Sequence, residues 1–182
     1  MRLFVALPLP EALRAQLGAM TAGLPGARWV APENLHVTLR FIGEADSGQA
    51  RDIDAELAQV RAESFPVTLA GIDRFGSGAR VRTLWAGVEA NSALERLYGS
   101  IEQALQDAGL PPEGRRFKPH VTLARFKASP GARLSDYLAR HAPFRAEPFQ
   151  AESFVLYSSF LSQSGAIYTE EAAYPLGPAG TL

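Results

Sequence analysis

Two of the chain's three histidines open the same four-residue word. His36-Val37-Thr38-Leu39 recurs as His120-Val121-Thr122-Leu123, 84 residues later. Both words read as strands, and successive side chains of a strand face opposite ways. In NLHVTLRFIG, alternation sets Leu35, Val37, Leu39 and Phe41 on one apolar face and His36, Thr38 and Arg40 on the other. In FKPHVTLARF it turns Val121 and Leu123 to a core and Lys118, His120 and Thr122 the opposite way. His and Thr of each word then sit about 7 Å apart along the strand, on one side. A lone strand histidine is ordinarily structural, and threonine is a common strand residue. Two identical polar faces at matching places point to a shared task instead.

That task matches displacement at a phosphodiester. An unperturbed imidazole titrates near pH 6.5, so one histidine can take a proton while another gives one. The nucleophile enters on one side of phosphorus, where a base is needed, and the leaving oxygen departs on the other, where an acid is needed. Two threonine hydroxyls can hold the non-bridging oxygens as charge grows on them. A reactive cyclic phosphate would need no metal, and no cofactor is expected.

Other devices fit less well. Two histidines with no cysteine and no adjacent carboxylate word make a poor ligand set. No Gly-x-Ser-x-Gly word marks a serine nucleophile. RFGSGAR (74–80) is glycine-rich but lacks a phosphate loop's Gly-Lys ending, and reads as a hairpin or loop. His141 belongs to no repeated word and reads as a helix-end residue, where a cation suits the dipole.

From Gly114 to Arg133 the chain carries Arg115, Arg116, Lys118, Arg125, Lys127 and Arg133 with no acidic residue. A basic stretch around the second word can recruit an anion. Lys118 shares the face of His120. Strict alternation puts Arg125 on the face of Val121 and Leu123, away from His120, unless a bulge re-aims it or the strand ends first. Aromatic residues that could stack on a base include Phe41, Phe117, Phe126 and Tyr157, although most such residues are core by default.

The elements that must carry the two words recur as well. Before the first, LFVALPLPEALRAQL reads as a strand running into a helix with Leu13, Leu17 and Met20 on one side. Before the second, LWAGVEANSALERLYGSIEQAL reads the same way, with Leu94, Leu97, Ile101 and Leu105 on one helix face. Asn91 or Ser92 is its N-cap, and Gly109 with Pro111 its stop. After the words, DSGQARDIDAELAQVRAE and ARLSDYLARH read as helices, with Ile53, Leu57 and Val60 apolar in the first. Each is followed by a strand, FPVTLAGI and FQAESFVLYS. AIYTEEAAYPL adds a closing strand. The expected fold is α+β: one bilobal domain over 1–182, two repeats (about 1–76 and 80–160) related by a pseudo-twofold axis. Two antiparallel sheets with flanking helices would surround a central cleft.

Composition is consistent with this. The 182 residues are 47% apolar, enough for a sizeable core. Net charge is −1, against a surface that coats nucleic acid; any such contact is local. There is no cysteine, which removes disulfides and thiolate chemistry and fits a cytoplasmic setting. No apolar run is long enough to span a bilayer. The N-terminal apolar patch is broken by prolines and reads as a strand and helix rather than a signal peptide.

The quoted features resemble the two-histidine phosphoesterase superfamily, above all its RNA 2′,3′-cyclic phosphodiesterases, also called 2′-5′ RNA ligase-like proteins. RLFVALPLP, ENLHVTLRFIGE and RRFKPHVTLARF carry the likeness, which extends over nearly the whole chain. It implies a bilobal fold with both motifs lining a cleft, and metal-independent opening of a 2′,3′-cyclic phosphate to a 2′-phosphate. It implies His36, Thr38, His120 and Thr122 as catalytic, with Arg125 matching a basic position after the second motif. Lys118 and Phe41 join Arg125 as candidate substrate contacts. Expected partners are RNA ends or nucleotides bearing a cyclic phosphate, with no membrane and no obligate protein partner. His120 is taken as the base that activates water and His36 as the acid. A 2′-5′ ligase, another cyclic-phosphate or 2′-5′ phosphodiesterase, and a non-catalytic RNA-end binder are the alternatives.

Overall fold

The computed structural model describes residues 1–178, so the last four residues of the expected 1–182 domain lie outside the description. Strand β1 (Arg2–Pro8) is buried from Leu3 to Leu7 because both its faces are covered. Leu3, Val5 and Leu7 join the main core, while Phe4 packs on His36 on the other side. Helix α1 (Glu11–Gly18) buries Leu13 and Leu17, as its spacing predicts. A short β2 (Ala27–Trp29) follows, and then β3 (His36–Glu44) carries the first repeated word.

Helix α2 (Ser47–Leu57) starts at Asp46, whose side chain accepts from the Gln49 N–H while Gln49 accepts from the Asp46 N–H. It ends before Val60, which packs on the core from outside the helix. The strand expected over FPVTLAGI is two strands, β4 (Phe65–Val67) and β5 (Leu69–Phe75), broken at Thr68. RFGSGAR forms the turn into β6 (Thr83–Val88). Helix α3 (Ser92–Asp107) is capped by Asn91, which accepts from the Leu94 N–H at 3.0 Å, and buries Leu94, Leu97, Ile101 and Leu105. The second word opens β7 (His120–Phe126), so Pro119 stands just before the strand, where its missing N–H costs no ladder bond.

Helix α4 (Ala132–His141) ends on His141, whose ring lies 4.2 Å from that of Tyr137. Burial, helped by Arg140, holds its imidazole below the ordinary value, so the helix end gains less from it as a cation. The segment FQAESFVLYS is likewise split, into β8 (Phe149–Ala151) and β9 (Ser153–Ser162), broken at Glu152. Strand β10 (Gly165–Pro175) closes the series. The matching breaks have one consequence. β4 and β8 pair with each other as a two-stranded antiparallel sheet, and β5 and β9 enter the large sheet separately.

The large sheet has eight strands in the order β10-β9-β1-β3-β7-β6-β5, with β2 also on β7. Every strand pairing in it is antiparallel. The expectation of two sheets around a cleft is therefore corrected: both sides of the cleft belong to one hydrogen-bonded sheet. They meet only where Val37 pairs with Val121. The chain also exchanges strands across that seam, since β9 flanks β1 and β5 flanks β6. No helix among the described residues is long and apolar enough to cross a membrane.

Candidate active site

The seam fixes the geometry of the two words. Val37 and Val121 are directly opposite and both fully buried. Carrying that antiparallel register one residue each way sets His36 across from Thr122 and Thr38 across from His120, all on one face. The two histidines are then diagonal across the seam, and so are the two threonines. All four line one cavity of about 500 Å³.

Both words contain a β-bulge at their leucine. Thr38 pairs with Ala6 and Arg40 with Val5, so Leu39 is the extra residue of β3 against β1. Thr122 pairs with Trp85 and Ala124 with Leu84, so Leu123 is the extra residue of β7 against β6. A bulge sends the next side chains to the face opposite to that of strict alternation. Arg125 thus comes to the face of His120 and lines the cavity, which resolves the conflict with the pleat. Phe41, assigned by alternation to the core face, is instead 56% exposed at the cavity. Arg40, assigned to the catalytic face, pairs opposite core residue Val5 and is buried.

Arg40 is the one buried charged side chain among the described residues. Its Nε lies 2.6 Å from Glu102 Oε1 and 3.9 Å from Glu113 Oε2. Its two terminal nitrogens donate to the Phe41 carbonyl at 2.8 Å and the Pro111 carbonyl at 2.6 Å. The side chain thereby ties the bulged strand to the segment that leads into β7.

Each imidazole is oriented by the backbone two residues before it. His36 Nδ1 donates to the Asn34 carbonyl and His120 Nδ1 to the Lys118 carbonyl, both at 2.6 Å. With Nδ1 protonated, Nε2 of each neutral ring carries the lone pair. The Thr38 hydroxyl donates to His36 Nε2 at 2.8 Å, whereas His120 Nε2 has no protein partner among the described residues. Gly87 pairs with His120, and a Cβ there would meet the Ala70 carbonyl oxygen at 2.8 Å, so the strand beside His120 needs a glycine.

Both imidazoles are held below the ordinary value, in each case mainly by burial. Burial pushes the His36 imidazole down to about 4; its bond to the Asn34 carbonyl opposes this, and positive charge on His120 and Arg125 reinforces it. His120 is also lowered, first by burial and then by Arg125 and Lys118, against its bond to the Lys118 carbonyl. Phe4, Tyr157 and Tyr168 surround His36, with Tyr168 edge-on at 5.5 Å. Phe75 stands edge-on to His120 at 4.9 Å. Lys118 Nζ lies 5.3 Å and 5.0 Å from the ring centres of Phe75 and Trp85. One end of the site is aromatic and uncharged, the other aromatic and cationic.

Of the aromatic candidates, Phe41 and Phe117 line the cavity, Tyr157 packs behind His36 through Phe4, and Phe126 is core. Reading the sequence missed Tyr168, Phe75, Thr83 and Asn34. Strand pairing brings Phe75 and Thr83 opposite each other and Thr83 opposite Arg125. Tyr168 arrives on the closing strand β10, which was expected as a strand without a destination. Among the described residues no three His, Asp or Glu side chains cluster as a metal site.

Comparisons with known proteins place the chain's family and fold. A profile described as the 2′-5′ RNA ligase superfamily matches residues 9–159. The RNA 2′,3′-cyclic phosphodiesterase of Aeropyrum pernix is 37% identical over 151 residues, 80% of this chain and 84% of that protein. That of Thermotoga maritima is 33% identical, covering 92% of this chain and 91% of its own. Among solved structures, one from Thermus thermophilus superposes with a TM-score of 0.81 at 30% identity, over 98% of this chain and 100% of that one. E. coli LigT in complex with 3′-AMP also gives 0.81, at 28% identity and 96% and 97% coverage.

Proposed function

Because the chain belongs to the 2′-5′ RNA ligase superfamily, we propose that it is a metal-independent RNA 2′,3′-cyclic 3′-phosphodiesterase. The observation that carries this reading is the Val37–Val121 seam, which brings both histidines and both threonines to one cavity and so supports an acid–base role for the pair. The similarity to curated cyclic phosphodiesterases supports the substrate class. The reading includes the duplicated, pseudo-twofold origin of the two halves (about 1–76 and 80–160), which the matching bulges at Leu39 and Leu123 support.

In this mechanism the cyclic phosphate lies between the histidines. His120 Nε2, free of protein partners, takes a proton from water as its oxygen attacks phosphorus. The P–O3′ bond breaks, and the 3′-oxygen receives a proton from His36, leaving a 2′-phosphate and a 3′-hydroxyl. Burial lowers the His36 imidazole to about 4; the arriving phosphate anion favours its protonated form, and burial makes that form a strong acid. The hydroxyls of Thr38 and Thr122 and the guanidinium of Arg125 hold the non-bridging oxygens.

The test is turnover of an RNA oligonucleotide ending in a 2′,3′-cyclic phosphate. The wild type should hydrolyse it with or without prior EDTA treatment. His36→Ala and His120→Ala should each fall by about a hundredfold to ten-thousandfold. Tight binding without turnover by the wild type would instead make the protein an RNA-end binder.

A further inference from the structure

The catalytic floor leaves one wall of the cavity unused. Residues 111–119 have no regular secondary structure, yet they are fixed at several points. Arg40 holds the Pro111 carbonyl and pairs with Glu102, which accepts from the Glu113 N–H at 3.2 Å. The ring of Phe117 stacks on Tyr98 of α3 with centres 4.0 Å apart and planes 2° from parallel. Lys118 then sits over Phe75 and Trp85. This is a built wall, and it faces the same cavity as the histidines.

Two neighbouring groups on the wall, Arg116 and Phe117, line the cavity without a role at the reacting phosphorus. Arg115 Nε is 3.5 Å from Glu113, so its charge is partly met. Arg116 is exposed, lines the cavity and has no acidic partner among the described residues. Phe117 stacks on Tyr98, packs against the edge of the core and still reaches the cavity, half-buried. A lone cation beside a backed aromatic ring matches the repeat of a single strand, one phosphodiester and one base. Neither group is needed at the reacting phosphorus, where Arg125 and the His–Thr pairs suffice.

We propose that Arg116 and Phe117 form a subsite for the nucleotide on the 5′ side of the cyclic phosphate. Arg116 takes the intervening phosphodiester and Phe117 the upstream base. The proposal rests on the functional reading above and narrows it: the preferred ligand is a single-stranded oligoribonucleotide end rather than a mononucleotide.

Calorimetry tests this independently of turnover. The ligands are a ribodinucleotide with a 2′-phosphate end and the corresponding 2′-mononucleotide. The dinucleotide should bind at least about tenfold more tightly. A methylphosphonate in place of its internal phosphodiester, or the exposed-site variant Arg116→Gln, should bring the ratio close to one. Arg116→Gln should also flatten the salt dependence of dinucleotide binding by somewhat less than one charge. Equal affinities in the wild type, or a preference that survives both changes, would overturn the subsite. Turnover of a mononucleoside 2′,3′-cyclic phosphate reports on the functional reading alone, so the two can fail separately.

Discussion

Phe41 and Arg125 occupy the same place in the two repeats. Each lies two residues beyond the bulged leucine of its word, and each turns into the cavity where strict alternation would turn it to the core. One backbone irregularity, present twice, delivers an aromatic ring to one histidine's strand and a cation to the other's. The scaffold is repeated, but its two ends present different chemistry to the cavity. That asymmetry suits a reaction that has an entering side and a leaving side.

Arg125 should act on both substrate and histidine. Its charge lowers both imidazoles, so Arg125→Met should move the His120 pKa up toward 6.5, followed by the imidazole proton resonances in an NMR titration. The same variant loses a charge-assisted contact to the phosphate and should raise KM by about tenfold or more. An unmoved His120 titration would place Arg125 farther from the ring than the bulge requires.

The threonines should matter through their hydroxyls, not their shape. Thr122→Val keeps the β-branch and removes one donor to the non-bridging oxygens. It should lower kcat by about a hundredfold with little change in the denaturation midpoint. Thr38→Val should do the same and also free His36 Nε2, which accepts its hydroxyl. Thr→Ser variants should retain most of the activity.

Acid should destabilise the fold through His36. Its folded-state pKa, about 4, lies below the unfolded value of about 6.5. Between those values the unfolded chain binds a proton that the folded chain does not. This group's contribution is therefore intact above about pH 6.5 and lost progressively as pH falls toward 4. Urea midpoints should drop across that window, and less so in His36→Asn. Since both rings are depressed, both limbs of the kcat/KM profile should lie below 6.5.

Arg40 should be the most stability-sensitive charge in the molecule. Arg40→Ala leaves Glu102 nearly buried without its partner and should cost about 3 kcal/mol or more. Arg40→Met with Glu102→Met should recover much of that loss, measured by chemical denaturation. If the single variant is as stable as the wild type, Arg40 does not anchor residues 111–118.

The histidine pair was legible because its signal is a repeated word. The helices were legible too: apolar spacing and the Asn91 cap marked α3 before any packing was known. What escaped were features set by pairing partners. A bulge exists only relative to the neighbouring strand, so the turns of Phe41, Arg40 and Arg125 cannot be read from β3 or β7 alone. The breaks at Thr68 and Glu152 follow from β4 and β8 finding each other 84 residues apart. Tyr168 and Phe75 reach the histidines through sheet order, which alternation within a strand does not encode.

In the proposed mechanism two diagonal imidazoles open a cyclic phosphate at the 3′-oxygen. Phosphorus NMR of 2′,3′-cyclic AMP turned over in ¹⁸O-labelled water tests it directly. The wild type should give a single product, 2′-AMP, with one ¹⁸O on phosphorus, and His36→Ala and His120→Ala should each form it at least about a hundredfold more slowly. A 3′-AMP product, or undiminished formation of either product in one of the histidine variants, would contradict it.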